Sequence, residues 1–228
     1  MPVNMIFGGI GFMLGTGGSA LVAKTLGEKE PEKANRYFTM MILITVIIGV
    51  IISAIGIGIM RPVSIFLGAD EAMLPNCILY GRIMMAFNVS FMLQNAFQGF
   101  LITAEKPSLG LAVTVVAGIT NMVLDALFIG VFHWGVAGAA LATGVSQCVG
   151  GLIPLVYFLR PNRSLLRLVK TKLEIRPIVK ACVNGSSEMV SSVTSSVVGI
   201  LYNFQLLPWK HCIQRNPAQS FPALLQSV

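Results

Sequence analysis

Two carboxylates in this chain stand where charge is expensive. Asp125 and Glu188 lie inside long apolar runs, whereas the other seven of the nine acidic residues fall in connections or near run ends. An ionised carboxylate at the centre of a bilayer costs roughly 2.5–3.5 kcal/mol or more, so each buried acid needs a partner or a task. Asn121 precedes Asp125 by four residues, which puts both side chains on one face of a helix. An amide beside a carboxyl group hydrogen-bonds either of its protonation states, so the pair suits holding a proton or helping to coordinate a small cation. The structural alternative is a neutral Asp that ties two helices together. Glu188 sits among Asn184, Ser186, Ser187, Ser191, Ser192, Thr194, Ser195 and Ser196, a stretch too polar to face lipid. It is expected either to line a cavity or to pack closely against neighbouring helices. A further polar face carries Asn88 and Asn95, seven apart, with Gln94 and Gln98, four apart; cavity lining and interhelical hydrogen bonding both fit it.

Other chemistries lack their residues. Cys77, Cys148, Cys182 and Cys212 form no CxxC pair, and His133 and His211 are isolated, so neither zinc nor disulfide spacing is present. The glycine-rich run at Gly8–Gly18 has no GxGxxG, no preceding strand and no Walker lysine, and reads as close helix packing or a bend. No hydrolase triad or phosphate cradle appears, and neither an enzyme nor a resident cofactor or metal is expected.

The elements that must position these residues follow from composition. Hydrophobic residues make up 55% of the 228 residues and charged ones 11%, with a mean hydropathy of +0.79. A soluble domain carries roughly 25% charged residues. The charges here also sit in blocks separated by apolar stretches of about 20 residues, the length that crosses a bilayer. The expected class is therefore all-α, a polytopic transmembrane bundle, since each helix satisfies its own backbone in lipid. Six spans are predicted: 3–23, 37–60, 78–103, 109–132, 134–159 and 181–206. The net charge of +7 does not point to nucleic acid, because the bases lie in short loops without interleaved aromatics.

Lys24, Lys29, Lys33 and Arg36 follow the first span, Lys106 the third, and seven bases from Arg160 to Lys180 the fifth. The alternate connections offer only Arg61, Arg82 and His133. This asymmetry predicts that the basic loops, 24–36 and 160–180, are cytoplasmic in a multi-pass cell-membrane protein. It also places the start of the first span outside, which a missing preceding helix explains most simply. Residues 160–180 mix Leu165, Leu166, Leu168 and Val169 with bases, as in an amphipathic linker helix at the inner headgroup layer. Beyond Leu207 three prolines and several polar residues end the apolar pattern, so no seventh span is expected there.

Four stretches bear a family likeness. GTGGSALVAKTLGEKEPEKANRYF (Gly15–Phe38) resembles the end of the second helix and the following loop of MATE multidrug transporters. AGITNMVLDALFI (Ala117–Ile129) is similar to that family's fifth helix with its Asn-x-x-x-Asp pair, and WGVAGAALATGVSQ (Trp134–Gln147) to the turn and sixth helix after it. VNGSSEMVSSVTSS (Val183–Ser196) resembles the start of the seventh. The likeness covers about residues 5–206. It implies twelve helices in two six-helix lobes, and export of cationic, amphipathic compounds against protons or sodium ions. On that alignment residues 1–159 are helices two to six of the first lobe, 160–180 a cytoplasmic linker, and 181–207 the first helix of the second lobe. Residues 208–228 do not resemble the family and read as frameshifted or fused sequence. The resemblance further implies that Asn121 and Asp125 are the coupling pair, that Thr143 lines the same cavity, and that Glu188 matches a coupling acid of NorM-like members. Asn88, Gln94 and Gln98 are expected to line the substrate cavity. The chain alone is expected to be inactive, because transport would need the missing second lobe. A lipid-linked oligosaccharide flippase of the same superfamily and a non-transporting membrane scaffold remain as alternatives.

Overall fold

In the computed structural model, residues 2–66, 74–160, 164–171 and 174–215 are described. They form a bundle of eight α-helices: α1 (Pro2–Gly27), α2 (Pro31–Phe66), α3 (Leu74–Ala86), α4 (Asn88–Thr103), α5 (Pro107–Asp125), α6 (Gly135–Leu159), α7 (Ile175–Asn184) and α8 (Ser186–Arg215). Helices α2 and α6, and α5 with its extension to Val131, are each long and apolar enough to cross a membrane, and α3 with α4 forms one further bent span. The expected spans at α1 and α8 are present as helices. The outside of α5 is mostly apolar, with Leu111, Val115, Ile119 and Met122 exposed, and its Thr114 and Thr120 hydroxyls donate back to their own helix. Such a surface suits lipid, where leaving it uncovered costs nothing.

Helix α1 occupies the middle of the bundle, and its glycines explain how. On one side a Cβ at Gly15 would come within 2.7 Å of the Ala96 Cα, and one at Gly11 within 2.9 Å of the Met92 backbone, so α1 and α4 touch main chain to main chain. On another side a Cβ at Gly17 would collide with the Ala181 carbonyl, and one at Gly185 with the Met13 carbonyl. Small residues at these positions let helices approach closely, and the glycine run is packing, as its composition suggests.

The expected third span is broken. Helices α3 and α4 meet at a 50° bend centred on Phe87, whose backbone (φ −93°, ψ 1°) leaves the helical region. Neighbouring bonds survive the bend: the Phe87 N–H donates to the Ile83 carbonyl and the Phe91 N–H to that of Phe87. The Phe87 ring fits over Gly144 of α6, so packing rather than a proline or glycine sets this kink.

Helix α5 runs directly into a π-helical turn, Ala126–Val131, in which the Phe132 N–H reaches back to the Leu127 carbonyl at 3.0 Å. His133 (φ 54°) and Gly135 (φ 55°) then reverse the chain into α6. Phe128, Phe132 and Trp134 stack around this turn, with centroids 5.3–6.3 Å apart.

The largest core cluster lies at the opposite end of α6. Phe38 meets Phe100 and Phe158 edge-on at 4.9 Å, and Phe97 stacks on Phe158 at 5.9 Å. At that end the α1–α2 connection, the α4–α5 connection and Leu165 all border one cleft of about 590 Å³. The basic connections therefore gather on one side of the bundle.

The amphipathic linker helix expected over 160–180 is not formed as such. Residues 164–171 run extended as a strap across the start of α2, and helix begins only at Ile175. The Arg167 N–H donates to Asn35 Oδ1 at 2.8 Å, and the Val169 N–H to Thr39 Oγ1 at 2.9 Å. Leu166, fully buried just before them in the chain, enters the phenylalanine core. These side-chain acceptors replace the helical bonds the segment forgoes. Nor does helix stop at Leu207: α8 continues to Arg215, because a proline removes one ladder bond without forbidding the helix on either side. Residues 216–228 lie outside the described ones.

Candidate functional site

The site begins with a helix that carries an amide and a carboxylate one turn apart. Asn121 and Asp125 occupy the last turns of α5, and both are partly buried. The Asn121 Nδ2 donates to Thr143 Oγ1 of α6 at 3.5 Å, and the Thr143 hydroxyl donates to the Ala139 carbonyl at 2.9 Å. Asp125 Oδ1 is buried and accepts no hydrogen bond among the described residues. A carboxylate oxygen in this condition is an acceptor waiting for a proton, a cation or a water.

Tyr80 of α3 lies near enough to Asp125 to interact with it electrostatically. No spacing in the sequence pointed to this residue. An aromatic in an apolar run reads as core, and nothing in the sequence says that α3 packs on α2 and α6. Asn121, Asp125 and Thr143 thus come together from two helices, with Tyr80 of a third in electrostatic range, and the first three are those singled out from the sequence.

The remaining candidates are placed elsewhere. Gln94 lies on the α4–α6 seam, its amide over Gly150, and Gln98 follows one turn later, partly buried. Asn88 is 2% exposed and its Nδ2 reaches the Met92 sulfur of its own helix at 3.6 Å, so it belongs to the packed interior. It points away from Ser90, which faces α6 across a 3.3 Å contact with Cys148. Expected as cavity lining, Asn88 is interior because α1 and α2 cover that side of α4. Glu188 is exposed in the first turn of α8. Its helix packs along α1 and α7, whereas α5 packs on α6 and α4, so the two buried-looking acids of the sequence sit on different seams. The hydroxyl stretch is divided: Ser192 meets Gly9 of α1 and Ser196 is buried, while Ser191, Thr194 and Ser195 stay exposed beside Glu188. Among the described residues no group of acids, Cys and His could hold a metal ion.

A family model described as MatE matches residues 1–127, more than half of the chain. The chain belongs to the MatE family. The multidrug export protein MepA of Staphylococcus saprophyticus is 26% identical over 209 residues, which are 90% of this chain and 46% of that protein. MatE membership therefore makes this a helical membrane protein of a transporter family, not an enzyme. The fold agrees with a multidrug resistance MATE family transporter of the MOP superfamily in its inward-facing conformation (TM-score 0.82, 22% identity, 86% of this chain, 45% of that one). It agrees equally with a MOP superfamily transporter from Pyrococcus furiosus whose reversed pocket polarity suggests a different function (TM-score 0.80, 22% identity, 86% of this chain, 44% of that one). The chain spans about half the length of the curated relatives it matches.

Proposed function

We propose that this chain forms the ion-coupling part of an antiporter that exports cationic, amphipathic compounds against protons or sodium ions. The observation that carries the reading is the buried, unpartnered Asp125 Oδ1 beside the Asn121–Thr143 pair. A carboxylate so placed gains from a proton or a cation in one conformation and from a cationic substrate in another, and this difference in affinity is what couples two fluxes. Transport needs a second lobe moving against this one, so residues 1–159 act as the first lobe and α8 as the start of the second. The basic connections that gather at one end suit a cytoplasmic face in the cell membrane.

Flipping of an anionic lipid-linked oligosaccharide is the second reading, favoured by the fold shared with a transporter of reversed pocket polarity. That cargo would ask for bases at the site, and the groups gathered here are a carboxylate, an amide and two hydroxyls. Two measurements test the first reading. Purified protein should gain thermal stability from sodium ions, or release a proton on binding a dye cation, and Asp125→Asn should abolish the response while still inserting. A chimera carrying residues 1–207 in place of the matching half of a MepA protein should drive ion-dependent dye efflux. Efflux that persists after Asp125→Asn sinks the assignment.

A further inference from the structure

The turn between α5 and α6 has a make-up that neither water nor hydrocarbon accepts. Residues 127–136 read LFIGVFHWGV, without an Asp, Glu, Lys or Arg. Turns that face water draw on Asn, Asp, Ser, Pro and Gly, yet here Phe132 is 50% and Trp134 52% exposed. Their rings lie 5.5 Å apart with planes 26° from parallel. Phe128 completes the stack, 5.3 Å from Trp134 and 21° from parallel, with its backbone against Gly138. Hydrocarbon is excluded by the main chain. His133 leaves the helical region (φ 54°), and Trp134 caps α6 without a side-chain hydrogen bond. The first N–H groups of α6 therefore have no partner within their helix, and irregular backbone of this kind does not face acyl chains. The Trp134 indole adds one more N–H donor.

Helix length gives the depth of this turn. The apolar helix from Pro107 to Val131 counts 25 residues, about 37 Å at 1.5 Å per residue. The hydrocarbon core of a bilayer is about 30 Å thick, and about 40–45 Å with its headgroup regions. With Lys106 and Pro107 in the headgroup layer at the basic end, Phe132 and Trp134 reach the opposite headgroup layer. Ile119, Met122 and Val123 are exposed below them, so the rings continue the lipid-facing surface of α5.

We propose that Phe128, Phe132 and Trp134 form a membrane-interface anchor, a platform of rings seated in the glycerol and ester layer of the leaflet opposite the basic connections. That layer offers both things the turn needs. The upper acyl chains receive the ring faces, while ester carbonyls and bound water accept from the indole and from the uncapped N–H groups of α6. The anchor fixes how deep α5 sits. Asp125 precedes Phe132 by seven residues, which places it about 10 Å below the platform and about 27 Å along the helix from Pro107. The carboxylate is thereby held in the half of the membrane away from the basic loops, whether or not it couples an ion.

Trp134 reports its own depth. The chain has two tryptophans, Trp134 and Trp209, so Trp209→Phe leaves one emitter. The full chain is reconstituted in phosphatidylcholine vesicles whose acyl chains carry bromine either near the glycerol or near the terminal methyl. Bromine near the glycerol should quench Trp134 at least about twice as strongly as bromine near the methyl, and aqueous iodide should quench it less than about half as strongly as free tryptophan. Phe132→Ala, at a half-exposed position, should raise the iodide quenching at least about twofold, because fewer rings then hold the turn in the layer. Stronger quenching from the methyl end overturns the anchor by placing the turn in hydrocarbon. Iodide quenching equal to that of free tryptophan overturns it by placing the turn in water. Quenching by neither agent overturns it too, since another protein surface, such as a second copy, then covers the rings. An unchanged iodide response in a folded Phe132→Ala variant refutes the joint action of the rings; if that variant does not fold, the bromine profile decides alone.

Discussion

Removing Asn35 and Thr39 as acceptors should free the strap without disturbing the helix that holds it. Each receives one backbone N–H, from Arg167 at 2.8 Å and from Val169 at 2.9 Å. Both bonds lie at an exposed surface, where water replaces a lost partner, so each contributes about 0.5–1.5 kcal/mol net. Asn35→Ala with Thr39→Val should therefore favour the detached strap by about 1–3 kcal/mol, a roughly 5- to 150-fold rise in its population. Leu166 remains as an anchor, being fully buried; Leu166→Ala should add about 2–5 kcal/mol and detach the strap outright. Limited trypsinolysis reads this, since Arg167 and Lys170 are exposed but must adopt an extended, mobile conformation to be cut. Where reclosing outpaces cleavage the rate follows the open population. Cutting after Arg167 or Lys170 should thus accelerate at least fivefold in the double variant, while cutting after Lys24 stays constant. Rates within twofold of the parent, in a protein that keeps its melting temperature, would refute the claim that these two side chains hold the strap.

Other consequences are open to measurement. Gly15→Ala places a Cβ 2.7 Å from the Ala96 Cα and should destabilise by about 1–3 kcal/mol on thermal unfolding in detergent. Gly58→Ala, with nothing within 4 Å, should be neutral or slightly stabilising. Phe158→Ala removes the ring that Phe38 and Phe97 share and should cost about 3–5 kcal/mol by the same assay. Lys33 pairs with Glu30 at 2.9 Å, and the hydrogen bond and charge of Glu30 raise its pKa above the ordinary 10.5. A raised pKa stabilises below the unfolded value and fades as pH climbs through the folded one, so this small contribution should vanish only in strong alkali. Glu30→Gln should move the Lys33 titration, followed by NMR of the ammonium group, back toward 10.5.

Much of the architecture was legible because lipid imposes simple rules. Blocks of charge between apolar runs located the spans, and the i, i+4 spacing of Asn121 and Asp125 put them on one face before any neighbour was known. The features that escaped depend on contacts between distant segments. Tyr80 comes within electrostatic range of Asp125 through the packing of α3 on α6, and no proline or glycine marks the bend at Phe87 that leads into α4. The strap alternates apolar and basic residues much as an interfacial helix does. What decides against helix is Asn35 and Thr39, some 130 residues away in sequence. Glu188 and Asp125 read alike as buried acids, yet they differ once α8 is seen to follow α1 rather than α5. Glycine abundance predicted close packing at α1 but not which helices would take each face.

That arrangement sets a schedule for biogenesis. The faces of α1 that carry Gly11 and Gly15 are closed by α4, and Gly17 is closed by α7, so neither face has its partner when α1 leaves the ribosome. From Gly27 to Thr103 the ribosome adds 76 residues, which at 5–20 residues per second takes about 4–15 s. Throughout that interval α1 is a glycine-faced helix that, among the described helices, has only α2 to pack on, through Gly18 against Met41. Its retention beside the translocon until α4 arrives becomes a step that a membrane chaperone has reason to guard.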